Sequence, residues 1–301
     1  MIEVIRADGL MDRLRFFGSG ERFARGECGL VVRRGGRVCA RAIAGETRRA
    51  DAGYVRALFL CRDQDAANAL TGAIREEMRA RGRRYALGPL DRGLSGFGNG
   101  LRVEGFSGPD TPFEANNPAW TPEMLAKCGW KKEEDLLMYR LTRNRYPRAY
   151  YRRAAACARD RFGIEGRSIE GMSRREVYER LCALYRGIEP TDEEALARQI
   201  DRLFPKMGDT VLAMRSGECV GALVALREGT SVRAACLHVA VRARNQGATA
   251  VLFDALDKRL PPEIGEIQAG TVVEENECSK RNIEHTGATF FRKFRVYRLD
   301  N

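Results

Sequence analysis

The chain has 301 residues, of which 44% are hydrophobic, 8% aromatic and 31% charged. At roughly 150 residues a domain, this length predicts two domains, and the composition is typical of a soluble globular protein with apolar cores. No apolar run approaches the roughly 18 residues of a membrane span, and the N-terminus carries arginines and acids where a signal peptide would be apolar. We therefore expect a cytoplasmic protein and exclude membrane-spanning, secreted and collagen-like classes.

The net charge of +11 suits anionic partners, either nucleic acid or a phosphorylated cofactor. The arginines are scattered and no Lys/Arg tract reaches five residues, so we do not expect a nucleic-acid partner. The cysteines number nine, an odd count, and form no CxxC motif, which indicates free thiols in a reducing compartment. With only His238 and His285 beside these scattered cysteines, we expect no metal site.

Alternation of apolar runs and Gly turns predicts similar elements in both halves of the chain. Residues 29–40 predict a β-hairpin, followed by a strand over 54–60 and a helix. Residues 210–221 predict a second hairpin, followed by a strand over 234–241, a helix over about 248–259, a strand over 266–273 and a helix over about 276–285.

Each half also ends alike. Gly129 and Tyr139 in the first half match Gly287 and Tyr297 in the second, and both pairs lie 158 residues apart. Two landmarks at one offset indicate a duplicated domain. Because Pro147 and its neighbours break the pattern, we predict domains over residues 1–145 and 146–301, with a basic helix over 148–161 at the junction.

A strand that runs directly into a turn and a helix carries the chemistry. The apolar strand ends near Val241, the turn contains Gly247, and an apolar helix follows. The first amides of a helix lack internal partners and carry partial positive charge, and a glycine lets an anion approach the backbone closely. A diphosphate fits such a turn, although an ordinary β–α connection has the same local pattern.

The turn, Arg244-x-x-Gly247-x-Thr249, resembles the acyl-CoA-binding motif of the GNAT superfamily of N-acyltransferases, Arg/Gln-x-x-Gly-x-Gly/Ala, with threonine as the departure. Asn276, eleven residues before Gly287, matches the superfamily's Asn at the start of the next helix. The first half is similar to a little-characterised bacterial group in which such a segment precedes a GNAT domain. The motifs behind that similarity are Gly88-Pro89, Asn116-Asn117-Pro118 and Cys128-Gly129-Trp130.

This resemblance implies an α/β (α+β) fold of two tandem GNAT-like domains, each a mixed, mostly antiparallel sheet flanked by helices. It also implies an N-acyltransferase that uses acetyl-CoA or another acyl-CoA, without metal, and transfers the acyl group directly to an amine in a ternary complex. The acceptor would be a small molecule or a peptide, and the protein a monomer or homodimer.

The resemblance also implies roles for residues of the second half. The cofactor would lie along the strand and turn and contact Val239, Val241, Arg244, Asn245, Gln246, Gly247, Ala248, Thr249 and Asn276. His238 and Glu275 are the candidate catalytic bases. The position where many GNAT enzymes have a proton-donating tyrosine holds Ile283.

The equivalent turn of the first half has no glycine, and Asp63 and Asp65 stand where a diphosphate would lie. We therefore expect one CoA site, with the first domain as a degenerate scaffold that contributes the acceptor side through the loops at 93–100 and 116–120. Two alternatives remain open: a non-catalytic CoA- or ligand-binding protein with the GNAT fold, and a Fem-like aminoacyl-tRNA-dependent transferase.

Overall fold

The computed structural model describes residues 1–7, 23–24, 26–47, 49–94, 97–108, 110, 114–186 and 192–301. The chain forms two compact units. The first comprises Met1–Asp91, Gly98–Leu136 and Arg292–Asn301, and the second comprises Arg92–Phe97 and Leu137–Phe291. These units differ from the sequence-based division at residue 145, because the last strand of each half contributes residues to both units.

The first unit is an open sheet with its helices in the connections. Its elements are β1 (Ile2–Ala7), β2 (Cys28–Arg34), β3 (Arg37–Glu46), β4 (Ala52–Leu60), α1 (Gln64–Ala80), β5 (Tyr85–Gly88), β6 (Leu101–Glu104), α2 (Thr121–Lys127), the beginning of β7 (Lys131–Thr142) and most of β13 (Thr289–Asp300). Strands β1 to β4 pair antiparallel in chain order, β5 runs parallel to β4, and β13 pairs antiparallel with β5 and β6.

The second unit repeats this plan with additional helices. It contains α3 (Arg148–Phe162), β8 (Glu165–Ser168), α4 (Arg174–Arg186), α5 (Glu193–Leu203), β9 (Val211–Arg215), β10 (Glu218–Glu228), β11 (Ser231–Val239), α6 (Ala248–Arg259), β12 (Glu266–Val273) and α7 (Glu277–Glu284). The sheet order is β12-β11-β10-β9-β8, antiparallel except for the parallel pair β11 and β12. No helix in the described ranges is long and apolar enough to cross a bilayer.

Both units separate their parallel strands soon after pairing begins. In the first unit β4 pairs with β5 only over 52–54, and in the second β11 pairs with β12 only over 231–234. A shift of register lies further along β4 and β11, in their ladders with β3 and β10. Such bulges bend a strand away from its neighbour. Beyond Ala234, therefore, β11 and β12 diverge; we call this region the β11–β12 splay.

The helices of the second unit cover both faces of its sheet. Val239 packs with the core cluster that contains Val251 and Leu252 of α6, whereas the preceding residue, His238, contacts Tyr185 of α4. Successive side chains of a strand point to opposite faces, so α6 and α4 lie on opposite sides of β11. This arrangement places the start of α6 at the end of β11.

Candidate functional site

The connection between β11 and α6, residues 240–247, forms a tight turn that we call the β11–α6 bend. Val241–Ala243 form one turn of 3-10 helix, and Asn245 and Gly247 have left-handed φ values of 60° and 79°. Gly247 is the N-cap of α6, and no side chain of the described residues caps the helix. The first amides of α6 are therefore left for water or an anionic ligand.

Gly247 also has a packing role that needs no ligand. A β-carbon at this position would lie 2.7 Å from the β-carbon of Ala158 in α3, far inside normal contact. The left-handed φ disfavours any other residue as well. A bulky replacement such as Gly247→Glu would therefore disturb the packing of α3 on α6, and a loss of ligand binding in that variant would not identify the site.

The polar side chains of the bend differ in whether they already have a partner within the protein. Arg242 forms an ion pair with Glu218 at 2.6 Å, and the Gln246 side-chain oxygen accepts a hydrogen bond from Arg215 at 2.7 Å. Arg244 is exposed; its Nε lies 3.5 Å from the Val239 carbonyl oxygen, and it forms no ion pair within the described ranges. Of these cations, Arg244 has the guanidinium that a phosphate could bind without displacing an acid.

Among the described residues, the ladder between β11 and β12 ends before the bend, whereas the ladder between β11 and β10 continues to it. Towards β10, pairing continues to Val239 opposite Gly221, and the Ala240 amide donates to the Val220 carbonyl at 2.9 Å. Towards β12, pairing stops at Ala234. An extended ligand with amide groups can add to such an edge as an extra strand. Val241 beyond it is 62% exposed.

His238 is partly buried on the face of β11 covered by α4. Its ring centroid lies 4.4 Å from that of Tyr185, whose hydroxyl is 2.6 Å from the Cys236 sulfur. Burial, and to a lesser extent the positive charge of Arg244, lowers the pKa of His238 to about 4. The imidazole is therefore neutral near pH 7 and is a weak base.

Glu275 and Asn276 follow β12, the other strand of the splay. Because β11 and β12 are parallel, their ends lie at one edge of the sheet, and His238 and Glu275 are both at this edge. Glu275 is exposed. Asn276 caps α7, and its side-chain oxygen accepts the Ser279 amide hydrogen bond at 3.0 Å. Helix capping is therefore a sufficient reason for an asparagine at position 276, without any contact to a cofactor.

Tyr139 of β7, which was not among the predicted site residues, places a phenol beside α7. Ile283 is partly buried against the core, but Tyr139 of β7 donates a hydrogen bond to Glu284 at 3.3 Å. Burial, followed by the negative charge of Glu284, raises the pKa of Tyr139, so this hydroxyl stays protonated at neutral pH. The only sequence signal was its place in the repeat, opposite Tyr297.

Many solved structures resemble all or nearly all of this chain, and three of them illustrate the similarity. A tandem GNAT protein from the clavulanic acid biosynthesis pathway has 15% identity and a TM-score of 0.58, over 100% of this chain and 98% of that one. GCN5-related N-acetyltransferases from Sphaerobacter thermophilus and Kribbella flavida have 14% and 13% identity, each with a TM-score of 0.52, over 97% and 99% of this chain and 86% and 72% of theirs. No protein-family model and no curated protein matches the sequence.

This chain has a tandem GNAT fold. The predicted fold class, an α/β (α+β) pair of GNAT-like domains with mixed, mostly antiparallel sheets, is thereby confirmed. Similarity at 13–15% identity establishes the fold and not the activity. The activity depends on the residues of the site.

The two halves of this tandem GNAT fold differ at the start of the helix after the splayed strand. In the first unit Asp63 caps α1 by accepting the Ala66 amide hydrogen bond at 3.1 Å. Arg34 binds Asp63 at 3.0 Å and Asp65 at 2.9 Å. A carboxylate therefore occupies the anion position of the first unit, as the sequence analysis expected.

Of the two loops predicted to form the acceptor side, the one at 93–100 has residues in both units, and the one at 116–120 lies in the first unit. Of the loop at 93–100, residues 95 and 96 lie outside the described ranges, and Leu94 donates its amide to the buried Gln199 side chain of α5 at 2.5 Å. In the other loop Asn117 accepts the Arg102 amide at 2.7 Å within the first unit. Their role towards an acceptor stays a prediction.

A cavity of about 650 Å³ lies elsewhere in the second unit, between α3, β8 and α6. Its polar lining comes from Arg159, Glu165, Ser168, Asp254, Lys258 and Arg259. None of the predicted site residues borders it. The candidate site is therefore an open bend and strand edge rather than this cavity.

Proposed function

We propose that this chain is an acyl-CoA-dependent N-acyltransferase with one cofactor site, at the β11–α6 bend. The observation that carries the proposal is the combination, within the described ranges, of a helix start without a capping side chain and a strand edge that leaves its ladder with β12 after Ala234. The absence of a capping side chain at Gly247 suits a diphosphate, and the edge of 235–239 suits the amide-containing pantetheine arm. Acetyl-CoA or a longer acyl-CoA would have the same two requirements.

Bound acyl-CoA would supply an acyl group activated as a thioester. The chain's part is to hold the donor along β11 while an amine acceptor, a small molecule or a peptide, approaches the diverging strands. Orienting two reactants in this way lowers a barrier by up to roughly 7–11 kcal/mol. A free backbone N–H on the splayed edge near Val239 would stabilise negative charge on the carbonyl oxygen, worth about 3 kcal/mol per donor.

The acceptor ammonium, with a pKa of about 10.4 for a lysine-like amine, must lose a proton before it attacks. His238 and Glu275 are the two candidate bases. His238 is neutral but, with a pKa of about 4, accepts a proton only weakly. Glu275 is exposed and can take the proton through water.

Arg244 and Arg242 provide a matched pair for testing the cofactor site by isothermal titration with CoA. Arg244→Ala removes an arginine that has no acidic partner among the described residues. We expect roughly 10- to 150-fold weaker binding, since a charge-assisted hydrogen bond contributes about 1.5–3 kcal/mol. Arg242→Ala removes an arginine already paired with Glu218 and should change the affinity by less than about twofold. Absence of CoA binding, or equal effects of both variants, would reject the site.

A non-catalytic CoA-binding protein is the second candidate. Ile283 at the tyrosine position and the weakly basic His238 favour it. Thiol release from acetyl-CoA, measured with a broad panel of amines, separates the two functions. Release that depends on an amine supports the transferase, and CoA binding without release for any amine supports the binding protein.

A further inference from the structure

Two cysteines of the first unit face each other at the end of a strand ladder. Ala40 of β3 is paired with Leu60 of β4, and the next residue on each side, Cys39 and Cys61, continues this register. The Cys61 amide donates to the Cys39 carbonyl at 2.8 Å. Directly opposed residues place their side chains on one face with β-carbons about 4.5–5.5 Å apart. The two thiols are therefore neighbours.

A carboxylate joins these thiols two residues later. The two sulfurs and a carboxylate oxygen of Asp63 all lie within 4.8 Å of one another, and all three residues are partly buried. The cap on the Ala66 amide and the ion pair with Arg34 hold this carboxylate in place. A carboxylate has about four acceptor positions, so these contacts leave capacity for a further ligand.

The charge around the cluster favours a cation. Asp63 and Asp65 bring two carboxylates to the cluster, and Arg34 pairs with both of them. A divalent cation between the sulfurs would offset the negative charge of the carboxylates and of the metal-bound thiolates.

We propose that Cys39, Cys61 and Asp63 bind a thiophilic divalent metal ion such as Zn²⁺. Three protein ligands with a fourth, solvent-filled position make an open tetrahedral site, in which Zn–S distances of about 2.3 Å are typical. That geometry separates two sulfurs by about 3.8 Å, within the 4.8 Å limit that encloses the cluster. Each thiol releases its proton as its sulfur bonds to the metal, and no oxidation is involved.

The site would lie at the first unit's counterpart of the β11–α6 bend. The proposed metal site is argued from strand register and side-chain geometry in the first unit alone. Its failure would therefore leave the acyltransferase proposal unaffected, and the reverse also holds. Metal binding there would tie the β3–β4 edge to the start of α1, and we expect it to raise the melting temperature of the reduced protein.

Competition titration tests the proposal. The full chain, reduced with a phosphine and stripped of metal, is titrated with Zn²⁺ against a chromophoric chelator, and with Co²⁺ to count thiolate ligands by charge-transfer absorption. We expect one Zn²⁺ per chain. Cys39→Ser and Cys61→Ser should each weaken binding by more than about tenfold, because even outer-shell changes cost about 10–100-fold. Cys157→Ser, an exposed cysteine of α3, should leave the affinity unchanged.

Asp63→Asn separates ligation from folding. Asparagine caps a helix as well as aspartate does, so α1 should remain intact by circular dichroism while Zn²⁺ affinity falls. Several outcomes overturn the proposal: no stoichiometric Zn²⁺ binding, unchanged affinity in Cys39→Ser, or no effect of Asp63→Asn. A Cys39–Cys61 disulfide in air, combined with no Zn²⁺ affinity of the reduced form, would overturn it in favour of a redox pair.

Discussion

Gly247→Ala tests the packing of the β11–α6 bend against α3. The added β-carbon would lie 2.7 Å from that of Ala158, and φ at this residue is 79°. A left-handed backbone costs a residue other than glycine about 1–2 kcal/mol, and overpacking costs about 1–3 kcal/mol. We therefore expect the free energy of unfolding to fall by about 2–5 kcal/mol.

Ala158→Gly supplies the control in a double-mutant cycle. By itself it should cost about 1 kcal/mol for a glycine inside a helix and about 0.8 kcal/mol for the lost buried carbon. In the double variant the overpacking disappears and only the two backbone costs remain. The double variant should therefore be about 1–3 kcal/mol more stable than the sum of the single changes predicts.

Urea unfolding followed by far-UV circular dichroism measures these energies. The two tryptophans, Trp120 and Trp130, both lie in the first unit, so fluorescence alone would not report the unit that carries the change. If the two single effects add within about 0.5 kcal/mol in the double variant, the two β-carbons do not meet and the reasoning is refuted.

Three further predictions concern titration and capping. Because the pKa of His238 is about 4, His238 should not titrate near pH 6.5 during acyl transfer. The pH–rate profiles of the parent protein and of His238→Gln should therefore have the same shape around that pH. Asp63→Ala should cost about 1 kcal/mol by uncapping α1 and leave CoA affinity unchanged by calorimetry. Burial alone would raise the pKa of Glu27, but its bonds to Arg56 outweigh burial and hold it below the usual 4.5. The stabilisation that ionised Glu27 gives the fold is complete above pH 4.5 and is lost as the pH falls through the lower pKa of the folded state. Glu27→Gln should therefore lower the free energy of unfolding by about 3–5 kcal/mol at pH 7. In urea melts, this variant should lose less stability on acidification than the parent protein.

Local pattern predicted the elements of the second half closely. The strand Glu266–Val273 and the helix Ala248–Arg259 have the predicted bounds. The repeat offset of 158 residues also relates both ends of β7 to both ends of β13. One strand was misplaced: residues 234–241 were predicted, but β11 is Ser231–Val239, because Val241 turns into the 3-10 segment.

The sequence by itself determined the duplicated order of strands and helices, because alternation, periodicity and glycine turns depend on residues that are close together in the chain. The tertiary structure decided what depends on contacts between distant residues. Strand pairing brings together Cys39 and Cys61, which lie apart in the chain; the packing of α3 on α6 requires Gly247; and burial under α4 keeps His238 neutral. Through-space distance and solvent exclusion control these properties, and neither follows from spacing along the chain.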